Sequence, residues 1–89
     1  MNRIEHMRQQ LAPLEPTQVE IEDDSHLHAG HAGARDGGGH YRLLIVSSRF
    51  SGVNTVGRQR MVYSALGEMM KRDIHAITIK AVKPEEIQN

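Results

Sequence analysis

Six histidines and no cysteine, in a chain of 89 residues, set the chemistry available here. His26, His28 and His31 stand as His-x-His-x-x-His inside the run DSHLHAGHAGARDGGG. His40 follows at the far end of that run, and His75 stands alone in the C-terminal part. Imidazole titrates near neutrality and is a common metal ligand. On flexible backbone such a set can close on an ion with little strain, at an ordering cost of ~1–2 kcal/mol per fixed residue. Nickel, copper or zinc would suit it. The plainer reading is a solvated loop whose histidines are merely polar. Without thiols the chain has no disulfide, no redox pair and no thiolate for zinc or nucleophilic chemistry.

Other chemistry is thinly represented. Ser, His and Asp are present, but no spacing singles out a nucleophile with its base, so an enzyme is not expected. Gly30-His31-Ala32-Gly33 imitates the Gly-x-x-Gly clamp of nucleotide-binding KH domains. That clamp joins two helices, whereas this tetrad falls between two predicted strands. Gly37-Gly38-Gly39 runs into a strand without the Gly-Lys-Ser/Thr continuation of a phosphate loop. Arg58 and Arg60 stand two apart on a predicted helix and so point to different sides of it. One is free to meet a partner or phosphate, and the other to pair with an acid such as Asp73 or Glu68. Met61 beside them is the methionine best placed for partner contact, while Met69 and Met70 read as core. His6 reads as solvated helix surface.

The elements that must position these residues follow from hydrophobic spacing. Ile4, Met7, Leu11 and Leu14 mark an amphipathic helix of about three turns, ended by Pro13 and Pro16. Thr17–Asp23 alternates as a half-buried strand, and residues 24–39 form a long His- and Gly-rich loop. His40–Ser48 is the most apolar run and the predicted central strand, antiparallel to the first. Asn54 or Thr55 can cap a short helical turn before Gly57. Val62, Ala65, Leu66, Met69 and Met70 then form one face of a helix over Arg58–Lys71. Ile74–Ala81 alternates as the last strand, with His75 on the parity of Ile77 and Ile79, and the helical crossover sets that strand parallel to the central one. The expected fold is α+β, in the order α-β-β-α-(α)-β: a mixed three-stranded sheet with helices on one face, in a single domain over residues 1–89. Hydrophobic residues are 38% and aromatics 3%, which predicts a thin core of Ile, Leu, Val and Met. Eleven basic residues balance eleven acidic ones, which argues against a phosphate-backbone binder. The polar start MNRIEHMRQQ lacks a signal-peptide core, and no run reaches the ~20 apolar residues of a membrane span. A cytoplasmic protein with no membrane association is expected.

The second half, VSSRFSGVNTVGRQRMVYSALGEMMKRDIHAITIKAVKPEE, resembles the BolA family. Its pattern is met by Phe50 and Gly52 after a strand, Arg58, Arg60, Met61, Val62, Tyr63 and Leu66 on a helix, and His75-Ala76 opening a strand. His40-Tyr41 fits upstream. Gln59 departs from the His often found between the two arginines, and SHLHAGH carries three histidines where many relatives have one or two. The resemblance implies a fold like the type II KH domain and a non-catalytic role beside a monothiol glutaredoxin. The pair would share a [2Fe-2S] cluster with thiolates from the glutaredoxin and glutathione. On this side the resemblance implies His75 as one ligand, with His31 or His28 as the second, in a chain that is a monomer alone and a heterodimer with its partner. Imidazole does replace thiolate on iron in Rieske centres. A chain without cysteine is unsuited to build such a cluster alone, yet can complete one. The competing expectation is a DNA-binding transcriptional regulator, since some family members are described so. Arg58 and Arg60 would then serve as its contacts.

Overall fold

The structure, a computed structural model, describes residues 2–24 and 39–87. Helix α1 covers Arg3–Leu11, with the Asn2 side chain accepting from the Glu5 N–H at 2.8 Å. It tightens into a 3₁₀ turn at Ala12–Leu14, and Glu15 then takes a left-handed conformation that turns the chain toward Pro16. Strand β1 is Gln18–Asp23 and strand β2 is Gly39–Val46. After a 3₁₀ turn at Ser48–Phe50 come helices α2 (Thr55–Leu66) and α3 (Met69–Arg72), then strand β3 (Ile74–Val82) and a last turn at Pro84–Glu86. Among the described residues no helix is long and apolar enough to cross a membrane.

The sheet order is β1-β2-β3. β1 runs antiparallel to β2, with Gln18 opposite Val46 and Asp23 opposite Tyr41. β3 runs parallel to β2, with Tyr41 opposite Ile77 and Val46 opposite Val82. The predicted α+β mixed sheet is therefore present, with the helical crossover joining its parallel pair. Tyr41, Leu43 and Ile45 of β2 face the helices and are buried with Met7, Leu11, Val62, Leu66 and Met69. The opposite face of the sheet carries Glu20, Glu22, Arg42, Leu44, Thr78 and Lys80, with no helix over it among the described residues. The core is not purely aliphatic as expected. Phe50 is fully enclosed and Tyr41 nearly so, so two of the three aromatic residues are central to it. Buried Ser47 is satisfied, since its hydroxyl donates to Leu14 O at 2.6 Å and accepts from the Arg49 N–H at 3.1 Å.

Two expectations about the crossover are corrected. The chain is helical from Thr55 straight through Gly57, because the Asn54 side chain accepts the Gly57 N–H at 2.8 Å and caps the whole helix. The interruption comes instead at Gly67, with φ +54° and ψ −124°, a combination that favours glycine. Arg58 does turn inward, but its acid is Glu86, neither Asp73 nor Glu68. Its guanidinium donates to Val53 O at 2.7 Å, Ala81 O at 3.1 Å and the Glu86 carboxylate at 2.6 Å, and only 14% of the side chain is exposed. Asp73 meets Arg3 and Glu68 meets Lys71. Arg58 thus clasps the start of α2, the end of β3 and the last turn, which leaves it poorly placed as a contact for a partner or DNA.

Three stability measurements check this account. Gly67→Ala should cost about 1–3 kcal/mol in urea unfolding. No atom approaches the added methyl closer than Ser64 O at 3.7 Å, so that cost is conformational. Arg58→Ala should cost about 1–3 kcal/mol, because it strips a donor from two backbone carbonyls as well as from Glu86. The hydrogen bond from Arg58, with a second from the Lys83 N–H, holds the Glu86 carboxyl below the usual glutamate range. A lowered folded pKa contributes stability that is present above the unfolded value and lost as pH falls through the folded one. Glu86→Gln should therefore melt below wild type at pH 7, and the gap should close in melts taken below pH about 4.

Candidate functional site

β3 begins with an irregularity. Gly39 is opposite Ile74, yet the next residue of β2, His40, is opposite Ala76. His75 is the extra residue of a β-bulge, an arrangement rare in parallel pairs and over-represented next to active sites. Its consequence is geometric. Ile74 is buried and Ile77 and Ile79 pack against the core, so regular alternation from Ile77 would turn His75 toward the helices. That parity was the expectation from sequence. The bulge overturns it, and His75 is exposed.

On β2, Tyr41 and Leu43 face the core, so His40 lies on the outer face, half-buried. Its ring comes beside that of His75, with centroids 5.0 Å apart and planes inclined by 47°. The backbone around the pair is held on several sides. The Asp24 N–H donates to His40 O at 2.7 Å, and the Gly39 N–H donates to Asp73 O at 2.9 Å. Gly39 is needed here for space: a Cβ on it would come within 2.5 Å of the buried Tyr41 ring. Asp24 lines the same shallow hollow as His40, Ala76 and Thr78, and its carboxylate receives Arg42 at 2.6 Å. Arg42 also reaches Glu22 at 2.7 Å. The hydrogen bond to Asp24, and then the charges of Asp24 and Glu22, raise the Arg42 pKa further.

Of the histidines read as ligands, His75 is thus in a solvent-facing position, while His28 and His31 lie outside the described residues. The described chain leaves at Asp24 and resumes at Gly39, both at the corner that holds His75. Sequence reasoning gave His40 a structural role at the mouth of β2. Its backbone carbonyl does tie down Asp24, but its ring is His75's neighbour, which was missed. The alternation that buries Tyr41, Leu43 and Ile45 put His40 outward, but only the bulge brings His75 to meet it. Among the described residues no group of three or more His, Cys, Asp or Glu side chains is placed to hold a metal. The corner offers two nitrogens.

Arg60 and Met61 belong to a different surface. With Pro13, Leu14, Ser64 and Ala65 they line an apolar groove between the end of α1 and α2, which shares no residue with the hollow at His40. Arg60 is exposed, while Met61 is half-buried against the core. Val56 and Tyr63, at 57% and 40% exposure, extend the apolar character of α2 toward solvent. His6 is on the exposed side of α1, as expected.

Comparison with known proteins agrees with this architecture. Residues 11–86 match the family model described as BolA-like protein. The chain is 43% identical over 89 residues to the chloroplastic protein BOLA1 of Arabidopsis thaliana, covering 96% of this chain and 56% of that protein. It is 42% identical over 79 residues to the chloroplastic/mitochondrial SufE-like protein 1 of the same plant, covering 83% of this chain and 21% of that one. The chain therefore spans little more than half, or less, of those two relatives. It is also 34% identical over 68 residues to the DNA-binding transcriptional regulator BolA of Escherichia coli, covering 76% and 62%. The solved structure of Arabidopsis BolA1 superposes with a TM-score of 0.84 at 40% identity, over 99% of this chain and 98% of that one. A family model matched across most of the sequence, relatives above 40% identity and a shared fold lead to one conclusion: the chain belongs to the BolA family.

Proposed function

We propose that this chain is a non-catalytic adaptor that pairs with a monothiol glutaredoxin to coordinate a bridging [2Fe-2S] cluster, for assembly, transfer or iron sensing. The observation that carries the reading is His75, turned out to solvent by the bulge at the mouth of β3, where residues 25–38 leave and rejoin the described fold. A ligand to a cluster shared with another protein must be reachable by that protein, and a buried imidazole is not. The donor set fits a completing role. Besides the Asp24 carboxylate, which Arg42 holds, the described corner presents imidazoles, and the chain has no thiolate with which to hold such a cluster alone. His75 supplies one nitrogen, and His28 or His31 supplies the second. The glutaredoxin and glutathione bring the thiolates, and the cluster is cargo held between the two proteins. Ligation by imidazole in place of thiolate raises the reduction potential of such a cluster. Arg60 and Met61 are the α2 residues available for partner contact.

The name of the Escherichia coli relative favours a second reading, DNA-binding regulation. Against it stand the zero net charge, the inward turn of Arg58, and the acids Glu20, Glu22 and Asp24 on or beside the open sheet face. A binder of phosphate backbone needs cations free to replace counterions.

Anaerobic reconstitution with a monothiol glutaredoxin, glutathione, iron and sulfide tests the proposal, read by visible absorption and circular dichroism. Wild type should give a mixed complex with a spectrum distinct from the glutaredoxin's own. His75→Ala should lose it, and whichever of His28→Ala and His31→Ala fails identifies the second ligand. An unchanged glutaredoxin spectrum with wild type overturns the adaptor reading. DNA affinity that falls steeply with salt and discriminates between sequences would then support the regulator.

A further inference from the structure

We propose that the open face of the sheet is a self-association surface, on which a second copy of this chain packs face to face about a two-fold axis running along β2. The strand register carries the argument. Glu20 is opposite Leu44, and Leu44 is opposite Lys80, so one row across the three strands reads acid, apolar, base. All three are on the face that no described helix covers, with Glu20 and Lys80 exposed and Leu44 half-buried. Neighbouring strands lie ~4.8 Å apart, so the two charges start roughly 10 Å apart at their backbones, on either side of Leu44. Neither has an ion-pair partner among the described residues, and Glu20 only receives the Gln18 amide.

A two-fold axis lying between the sheets and parallel to β2 sets β1 of one copy over β3 of the other, the self-complementary arrangement of a symmetric dimer. Leu44 then meets its own counterpart, and Glu20 of each copy meets Lys80 of the other. Both charges are paired and the apolar centre is closed. An axis across the strands would instead set β1 over β1 and bring acids against acids, since Glu20 and Glu22 both stand on that strand. Sheets packed face to face keep their strands within about 30° of one another and ~10 Å apart, a gap that a glutamate and a lysine span together. Arg42 also stands near the axis, but Glu22 at 2.7 Å and Asp24 at 2.6 Å draw its guanidinium toward β1. It is thus matched by acids of its own chain and leans away from its symmetry mate. Three short strands on each side make a small interface, so the dimer is weak and exchanges rapidly. No metal and no other protein takes part, so this association stands apart from the adaptor reading.

Sedimentation velocity of the 89-residue chain alone, between about 20 µM and 1 mM, is the test, with amide resonances of the three strands followed by NMR over the same range. Wild type should sediment as a monomer at the low end and approach a dimer at the high end, with the largest shifts around Glu20, Leu44 and Lys80. Glu20→Lys and Lys80→Glu, whose folding is checked by circular dichroism, each turn two attractive contacts into repulsive ones. Each should weaken association about five-fold or more. An equimolar mixture of the two variants should recover the wild-type affinity, because both contacts between unlike variants again pair opposite charges. A wild type that stays monomeric at the highest concentration overturns the proposal. So does association that neither reversal weakens, or a mixture that associates no more tightly than the single variants.

Discussion

The ladder between β2 and β3 is the constraint from which the other features follow. A parallel pair cannot be closed by a tight turn, so the chain between Val46 and Ile74 must travel back along the sheet. It does so as α2 and α3, whose buried Val62, Leu66 and Met69 lie over Tyr41, Leu43 and Ile45. Because β2 is also paired to β1, its backbone is bonded on both sides and its outward residues cannot shift register independently. His40 inherits that rigidity. The Arg58 clasp closes the other end of the same unit, binding the first turn of α2 to Ala81 and Glu86 beyond the parallel pair.

Against such a ladder a single extra residue has a large effect. Side chains in a strand alternate with a period of two, so one inserted residue reverses the face of everything on one side of it. Here the reversal keeps Ile74 and Ile77 on the same, helix-covered side and leaves His75 as the residue that belongs to neither phase. The protein gains an exposed imidazole without giving up an apolar core position. A regular strand would have to bury His75 together with Ile77 and Ile79, or turn those two outward to keep Ile74 inside.

Most of the architecture was legible because apolar periodicity records burial directly. The alternation at Val19 and Ile21 and the helical face through Val62, Leu66 and Met69 each imply their element and its inner side, while the block Leu43–Val46 implies a central strand but not which of its sides the helices cover. What escaped was local backbone conformation. Gly57 and Gly67 look alike as helix breakers in sequence, and only the Asn54 cap and the positive φ of Gly67 separate them. The bulge has no compositional mark at all, since IHAITIK alternates as cleanly as an unbroken strand. His75 was therefore singled out by family resemblance, while its exposure and its contact with His40 are products of pairing with another strand. Arg58 and Arg60 show the same limit. Their spacing says that they diverge, but which one turns inward depends on where Ala81 and Glu86 arrive after the full crossover.

The exposure of His75 sets what a shared cluster would ask of this chain. An imidazole nitrogen has one lone pair for a metal, so His75 can fill one position on one iron and no more. In the proposed adaptor the second position falls to His28 or His31, and the thiolates on the other iron come from outside a chain without cysteine. The bulge decides whether the first ligand is reachable at all. A regular strand would turn His75 toward the helices with Ile77 and Ile79, where no partner could bring a cluster to it.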